Sequence, residues 1–443
     1  MRKSRLSAVL GHILGTAAFA AAFTVCAGSA SAVQYQLLHA FCQDGSCHDG
    51  RNPQDALIRD SDGNFFGTAN VGGDTNHGAV FELKFNNSTR QYDYLILHSF
   101  CPVTCSDGAF PDAPLIMDTD GNLYGTTTQG GAANFGVVFK LVRGSKHYTL
   151  HVLHDFCTGS NCEDGTIPVS GLSYRGQQTG ALFDGASPLY GSTERTDFLG
   201  DGSGVVYQLR GAFHTDYKVL HTFCLTDCAD GQFPSSLTID RHGHLLGIAE
   251  TGGVRSHGLI FSLHPNTLEL DVLYNFCSRT NCADGEDPDV RQRPVQDSTG
   301  ALYGTAFDGG KHGMGTVWKF KPHGNGGKLT VLYNFCSQPS CADGAFPRAG
   351  VTLGSGGEVF GETPQGGTCD VSGGCGVVFE LQTSTYTLLH SFCADGDPCP
   401  TDGAQPFGGL VLDPSGTLFG VTAYGGGGSG GLIDGGTAFS VKP

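Results

Sequence analysis

The sequence predicts an all-β fold, a seven-bladed β-propeller of four-stranded blades whose ring is closed by the N-terminal strand completing the last blade. Three observations lead there. One pattern recurs seven times, each copy offers four short strands, and the two ends of the repeat region each hold part of a single blade.

The pattern opens with an apolar run ending in Phe-Cys: Leu37-Leu-His-Ala-Phe-Cys42, Ile96-Leu-His-Ser-Phe-Cys101, Val152-Leu-His-Asp-Phe-Cys157, Val219-Leu-His-Thr-Phe-Cys224, Val272-Leu-Tyr-Asn-Phe-Cys277, Val331-Leu-Tyr-Asn-Phe-Cys336 and Leu388-Leu-His-Ser-Phe-Cys393. A second cysteine, an Asp-Gly and a proline follow, as in Cys341-Ala-Asp-Gly-Ala-Phe-Pro347. Next comes a hairpin-like stretch, clearest in Leu115-Ile-Met-Asp-Thr-Asp-Gly-Asn-Leu-Tyr-Gly-Thr126, then a Gly-Gly loop and a run such as Gly136-Val-Val-Phe-Lys-Leu141. Copies are spaced 53 to 67 residues apart, longer than a typical WD40 blade and nearer kelch.

Strand a is the Leu-Ile-x-Asp stretch, b Asn-Leu-Tyr-Gly-Thr, c Gly-Val-Val-Phe-Lys-Leu and d Leu-Leu-His-Ser-Phe. Branched and aromatic residues fill these runs and turn residues bound them. Four strands with apolar residues on both faces suit blades packed around an axis. A solenoid needs end caps, and none is legible. The region opens with a lone d strand, Tyr35 to Phe41, and ends with a c strand, Gly436-Thr-Ala-Phe-Ser440. Pairing the two seals the ring and removes two exposed edges.

The string Asp120-Gly-Asn-Leu-Tyr-Gly-Thr-Thr127, followed by Gly-Gly and Gly136-Val-Val-Phe139, resembles the GloVer tandem repeat of bacterial choice-of-anchor proteins. The likeness spans the region seven times. It implies an exported bacterial repeat protein, often with a C-terminal sorting signal and with no established activity. Here the chain ends at Val441-Lys-Pro443 without such a tail, so free secretion or periplasmic residence is expected; the paired cysteines are extra to the core motif.

Residues 1–32 read as a signal peptide: Arg2, Lys3 and Arg5 form a basic start, an Ala-rich apolar stretch reaches about Val25, and Ala30-Ser31-Ala32 is a small-residue cleavage pattern. A lipoprotein reading through Cys26 is disfavoured by the bulky Val25 before it. The mature propeller is then 33–443, with no later run long enough to span a bilayer. A net charge of -17, with only 25 lysines and arginines, argues against nucleic acid, which needs clustered cations.

Sixteen cysteines remain after the leader. They fall into local pairs, one per repeat: Cys42 with Cys47, Cys101 with Cys105, Cys157 with Cys162, Cys224 with Cys228, Cys277 with Cys282, Cys336 with Cys341 and Cys393 with Cys399. Cys369 and Cys375 form an extra pair in the sixth repeat. An even count at near-constant local spacing in an exported chain reads as disulfides, each worth about 2 kcal/mol by the chain-entropy model. Zinc needs four ligands at tighter spacing. No metal or cofactor is expected.

In a propeller the d–a and b–c connections share one rim, and binding residues concentrate on loops held by a rigid scaffold. Residues that recur in every repeat have scaffold explanations. Asp60 and Asp118 open hairpin turns, although they also resemble the start of a calcium loop that lacks its later ligands. The Asp-Gly aspartates, Asp49, Asp107, Asp164, Asp230, Asp284, Asp343 and Asp402, fit turns. His39, His98, His154, His221 and His390, replaced by Tyr274 and Tyr333, fit a packed ring that donates one hydrogen bond.

Departures from the repeat are the candidate binding residues: Glu194, Arg195 and Asp197 in the third, Glu250 and Arg255 in the fourth, Asp308 and Lys311 in the fifth, Glu362 in the sixth and Tyr424 in the seventh. Ordinary loop drift on a solvated surface is the plainer and favoured explanation of them. The expected function is an extracellular binding module for polysaccharide or another surface ligand, monomeric, its near-identical loops suiting a repeating ligand. One alternative is a glycan hydrolase or lyase using Glu194, Asp197, Glu250 and Asp308 as paired carboxylates; the other is a protein-interaction scaffold. No catalytic residue is assigned, and enzymatic activity is the less favoured reading.

Overall fold

A computed structural model describes residues 33–443 except 44, 160, 197–202, 212–213, 289–290, 292, 370–373, 395–398, 400–401 and 427–434. The expected export signal at 1–32 and Asp197 lie outside the described residues.

In the first blade strand a is Ile58–Arg59, b Phe65–Ala69, c Ala79–Asn86 and d Gln91–Ser99, each antiparallel to the next. The order recurs in seven sheets, and in the third blade strand a shrinks to a bridge between Ser173 and Tyr190. The seventh blade joins both ends of the repeat region: Gln34–Ala40 pairs with Thr437–Lys442, from Gln34 opposite Lys442 to Ala40 opposite Thr437. The ring is a closed seven-bladed propeller, as expected.

The eight cysteine pairs read from the sequence are joined as disulfides. Cys42 is bonded to Cys47, Cys101 to Cys105, Cys157 to Cys162 and Cys224 to Cys228. Cys277 is bonded to Cys282, Cys336 to Cys341, Cys369 to Cys375 and Cys393 to Cys399. The second cysteine of a staple does more than the expected cross-link. The carbonyls of Cys47, Cys162 and Cys228 accept the amides of Gly50, Gly165 and Gly231, which turns the chain at each Asp-Gly. Cys47 and Cys228 also accept from Gly73 and Gly253 of the Gly-Gly loops, so the staple ties the d–a loop to the b–c loop.

Strands b and c are buried on both faces because blades stack against both. The Phe that precedes each repeat's first cysteine (Phe41, Phe100, Phe156, Phe223, Phe276, Phe335, Phe392) is buried in that stack. It meets the strand c aromatic ring edge to face, as in Phe41–Phe81 at 5.2 Å and Phe276–Trp318 at 5.7 Å between centroids. That same strand c ring lies over the strand b glycine: a Cβ on Gly67 would sit 2.7 Å from Phe81. Only glycine leaves room for the ring.

Each strand d carries a bulge against strand c, such as the shift that sets Val80 opposite His98 but Phe81 opposite Ile96. A bulge re-aims the side chains beyond it. Here it turns the histidine or tyrosine toward the Asp-Gly aspartate of the following loop. His39 Nε2 lies 3.0 Å from Asp49 Oδ2, and His98, His154, His221 and His390 repeat the contact with Asp107, Asp164, Asp230 and Asp402. Tyr274 and Tyr333 donate instead to Asp284 at 2.5 Å and Asp343 at 2.7 Å. The other carboxylate oxygen accepts backbone amides at the staple, Cys42 N–H to Asp49 Oδ1 at 3.0 Å for instance.

Neighbouring blades lock onto the same latch. Tyr217 stacks on His154 with centroids 3.8 Å apart and donates to the Asp164 carbonyl at 2.5 Å. Tyr35 does the same at the closure, stacking on His390 at 4.2 Å and donating to the Asp402 carbonyl at 2.9 Å. The turn aspartates act locally: Asp60 Oδ1 accepts the amides of Asp62 and Asn64.

Replacing Asp402 with Ala removes the acceptor of His390 and strands the Cys393 amide. The expected loss is about 2–3 kcal/mol, read from urea unfolding of the variant against the parent.

Candidate functional site

The d–a and b–c loops share one rim, tied together within a blade by bridges such as Arg51 to Val71, Ala109 to Gln129 and Thr166 to Arg195. Two positions on this rim reach the axis. One is the residue after the repeat proline, which is Asp112 in the second blade, Val169 in the third and Arg348 in the sixth. The other lies three residues past the strand b glycine, which is Glu194, Glu250 and Phe307 in the third, fourth and fifth. These side chains converge with Asp287, Arg291 and Asp308 around a cavity of about 300 Å³ at the mouth of the central channel.

Of the residues that depart from the repeat after strand b, Glu194, Glu250 and Asp308 are brought together there. Arg195 stands behind Glu194, its Nε 3.1 Å from the carboxylate. Arg255 and Lys311 are exposed on their loops and do not line the cavity. Glu362, expected on the rim, is instead buried inside strand b (Val359–Thr363), where its Oε1 accepts the Gly409 amide at 2.7 Å. The reason is depth. Glu362 sits two residues earlier along its strand than Glu194 and Glu250 do along theirs, at the level where Thr126, Ser192 and Thr305 bond neighbouring backbone. Tyr424 packs against the core between the sixth and seventh blades instead of facing the mouth cavity.

Sequence reasoning misses Asp112, Asp287, Arg291 and Arg348. A signal was present for two of them: Asp112 and Arg348 are charged residues directly after the repeat proline, a position that varies from copy to copy (Gln54, Val169, Ser235, Phe407). Arg291 lies where the fifth blade places two more residues than the second between that proline and strand a.

Burial governs the electrostatics. It pushes the Glu250 carboxyl above the usual carboxylate range; Arg348 opposes the rise, while Glu194 and Asp287 add to it. Asp308 is raised by burial and by Asp287, again against Arg348. Burial raises Asp112, which Arg291 counters from 3.8 Å and Glu194 reinforces. Nearby, Asp55 is raised by burial and by Asp112 while accepting the Thr68 hydroxyl at 3.1 Å. Arg348 also lies over the Phe307 ring, 4.0 Å from its centroid. The mouth therefore presents carboxyls that hold protons unusually well beside two guanidinium donors. Such a set suits a polar ligand that both donates and accepts hydrogen bonds.

Among the described residues, the groups close enough to share a metal ion are His257/Cys277/Cys282/Glu286, His77/Cys101/Cys105 and Cys375/Cys393/Cys399. Each rests on disulfide sulfurs, which are not thiolate ligands. The described mouth carboxylates do not form such a group.

The family model described as the Gloeobacter/Verrucomicrobia repeat matches residues 11–183 and 280–443, and the chain belongs to that family. No curated protein matches it. Among solved structures it is similar to a virginiamycin B lyase from Staphylococcus aureus, at 10% identity and TM-score 0.54 over 93% of this chain and 99% of that one. It is also similar to an extracellular domain from B. thetaiotaomicron assigned to a one component system, at 10% identity and TM-score 0.52 over 92% of this chain; the match spans 42% of that chain. At these identities the likeness is one of fold.

Glu362 makes a test of the buried interior. Burial raises its carboxyl from 4.5 to about 8, and Oε2 has no hydrogen-bond partner among the described residues. Below 4.5 it is protonated whether the chain is folded or not. Between 4.5 and about 8 only the unfolded chain ionises, so this group lowers stability progressively across that window and adds no slope above it. Glu362→Gln removes the effect: the variant gains on the parent by on the order of a few kcal/mol between pH 5 and 8, measured by thermal unfolding at both pH values.

Proposed function

We propose that this member of the Gloeobacter/Verrucomicrobia repeat family is an extracellular or periplasmic binding module that holds a glycan unit at the mouth of its propeller channel. The supporting observation is the convergence of Asp112, Glu194, Glu250 and Asp308 with Arg291 and Arg348 around one cavity. Sugar hydroxyls donate to carboxylates and accept from guanidinium groups, and a polar concavity of about 300 Å³ suits a short glycan segment. Eight disulfides fit an oxidising compartment. No helix among the described residues is long and apolar enough to cross a membrane.

The repeated loops support this reading by default. Their aspartates and histidines are engaged with one another and with backbone amides, so recognition moves from seven equal sites to one asymmetric site on the axis.

A second reading, glycan hydrolysis or lysis, is favoured by one observation. Glu250 is held toward its protonated form, whereas Glu194 is paired with Arg195. A carboxyl held toward its protonated form beside a second carboxyl group is the kind of set that acid–base chemistry on a glycosidic bond uses.

A glycan array followed by calorimetry on the purified protein tests both. Binding without turnover is expected, and Arg348→Met weakens it by at least about tenfold through loss of a charge-assisted hydrogen bond. Turnover abolished by Glu250→Gln supports the enzyme. Silence on every glycan overturns both readings and leaves a protein partner to be sought.

A further inference from the structure

Below the mouth, the central channel holds a second, partly open cavity of about 360 Å³, lined by the innermost residues of all seven blades. The register of strand a against strand b aligns the blades: Ile58, Ile116, Thr238, Val295, Thr352 and Val411 occupy one level. Two residues before that level the chain reads Ala56, Pro114, Ser236, Gly350 and Gly409. The third blade, aligned through its Ser173 bridge, has Gly171 there. In the fifth blade the residue is Arg293. Six small residues leave a space at this level of the channel, and one arginine enters it.

The surroundings of that arginine are unusual for a cation. The walls are mainly apolar, Leu57, Ile116, Leu172, Val351 and Leu410 among them, and the lining includes Arg59 but no carboxylate. Among the described residues no acidic group pairs with Arg293, in contrast to Arg291 two positions earlier, which is met by Asp112 and by Gln54 at 3.0 Å. Burial draws the Arg293 guanidinium below its usual range, with the Tyr174 phenol acting against the shift. At the far end the cavity is lined by Gln177, Gly180 and Leu182 of a third-blade excursion, fastened where the Tyr174 hydroxyl donates to the Ala181 carbonyl at 2.8 Å. A charge withdrawn from water is stabilised by an opposite charge with matching hydrogen-bond geometry.

We propose that the channel is a binding site for a small monocarboxylate with an apolar body, its carboxylate on the Arg293 guanidinium and its hydrocarbon against the Leu, Ile and Val walls. A planar guanidinium matches a carboxylate with two parallel hydrogen bonds. Arg59, the other arginine of the lining, has its guanidinium at the Gly63 turn, which leaves Arg293 amid apolar walls and suits a monoanion; a phosphate dianion calls for more donors. The site is separate from the mouth, so the glycan experiment and this one fail independently.

Calorimetric titration of the purified protein with sodium hexanoate, 1-hexanol and inorganic phosphate tests the assignment. Hexanoate is expected to bind and to raise the thermal midpoint, with 1-hexanol and phosphate each at least about tenfold weaker. Arg293→Met, of similar length and uncharged, is expected to fold, to lose hexanoate binding by the same factor and to keep the weak response to 1-hexanol. Equal hexanoate binding by parent and variant overturns the proposal, as does phosphate binding as tight as hexanoate. If Arg293→Met does not fold, the three-ligand comparison on the parent decides alone: hexanoate no tighter than 1-hexanol overturns it.

Discussion

The aspartate of each Asp-Gly loop is the contact on which the ring depends. One oxygen takes the hydrogen bond of a strand d histidine or tyrosine, and the carboxylate also takes backbone amides at the staple. In four blades its carbonyl accepts the hydroxyl of the next blade's tyrosine. Without it the stapled loops have little to hold their backbone, because both cysteines of every such loop lie in the left-handed region, at φ between 47° and 59°. That region costs a residue with a Cβ about 1–2 kcal/mol. Carboxylate and disulfide together hold a conformation that neither residue type adopts by preference.

Seven copies of that latch give a rigid rim on which a few departures acquire meaning. Glu194, Glu250 and Phe307 are successive occupants of one position, and Asp112, Val169 and Arg348 occupy another. Symmetry places them; composition makes them different. The fifth d–a loop contributes most: it carries Arg291 to the mouth and sets Arg293 at the channel level that small residues occupy in the other blades. Charge is thereby sorted along the axis, mostly acidic at the rim and cationic within.

The fold was legible because every element was stated seven times, so noise in one copy was corrected by the others. Even the exchange of histidine for tyrosine at Tyr274 and Tyr333 pointed correctly to a donor, which Asp284 and Asp343 receive. The cysteines were legible as cross-links, but the carbonyls of Cys47 and Cys228 that join one loop to the next carry no mark in the side chain. The site was legible in half. Glu194, Glu250 and Asp308 stood out after strand b, but Asp112 and Arg348 sit after a proline whose surroundings read as turn chemistry. Glu362 shows the limit from the other side: a departure marks an unusual residue without giving its depth along a strand. Arg293 is invisible in one repeat and becomes conspicuous only when the small residues at the same level of six other blades are set beside it.

The closing strand has a kinetic consequence. Every staple joins cysteines four to six residues apart, so each forms as soon as its loop exists and mispairing across the chain is suppressed. The clasp is the opposite case, joining Gln34–Ala40 to Thr437–Lys442 across about 400 residues. Until the last blade is built, the earliest strand waits with an open hydrogen-bonding edge. A neighbouring chain at the same stage offers that edge the same partner, so high concentration during folding favours two rings clasped in exchange. The feature that closes one chain's ring is also a route to two rings clasped in exchange.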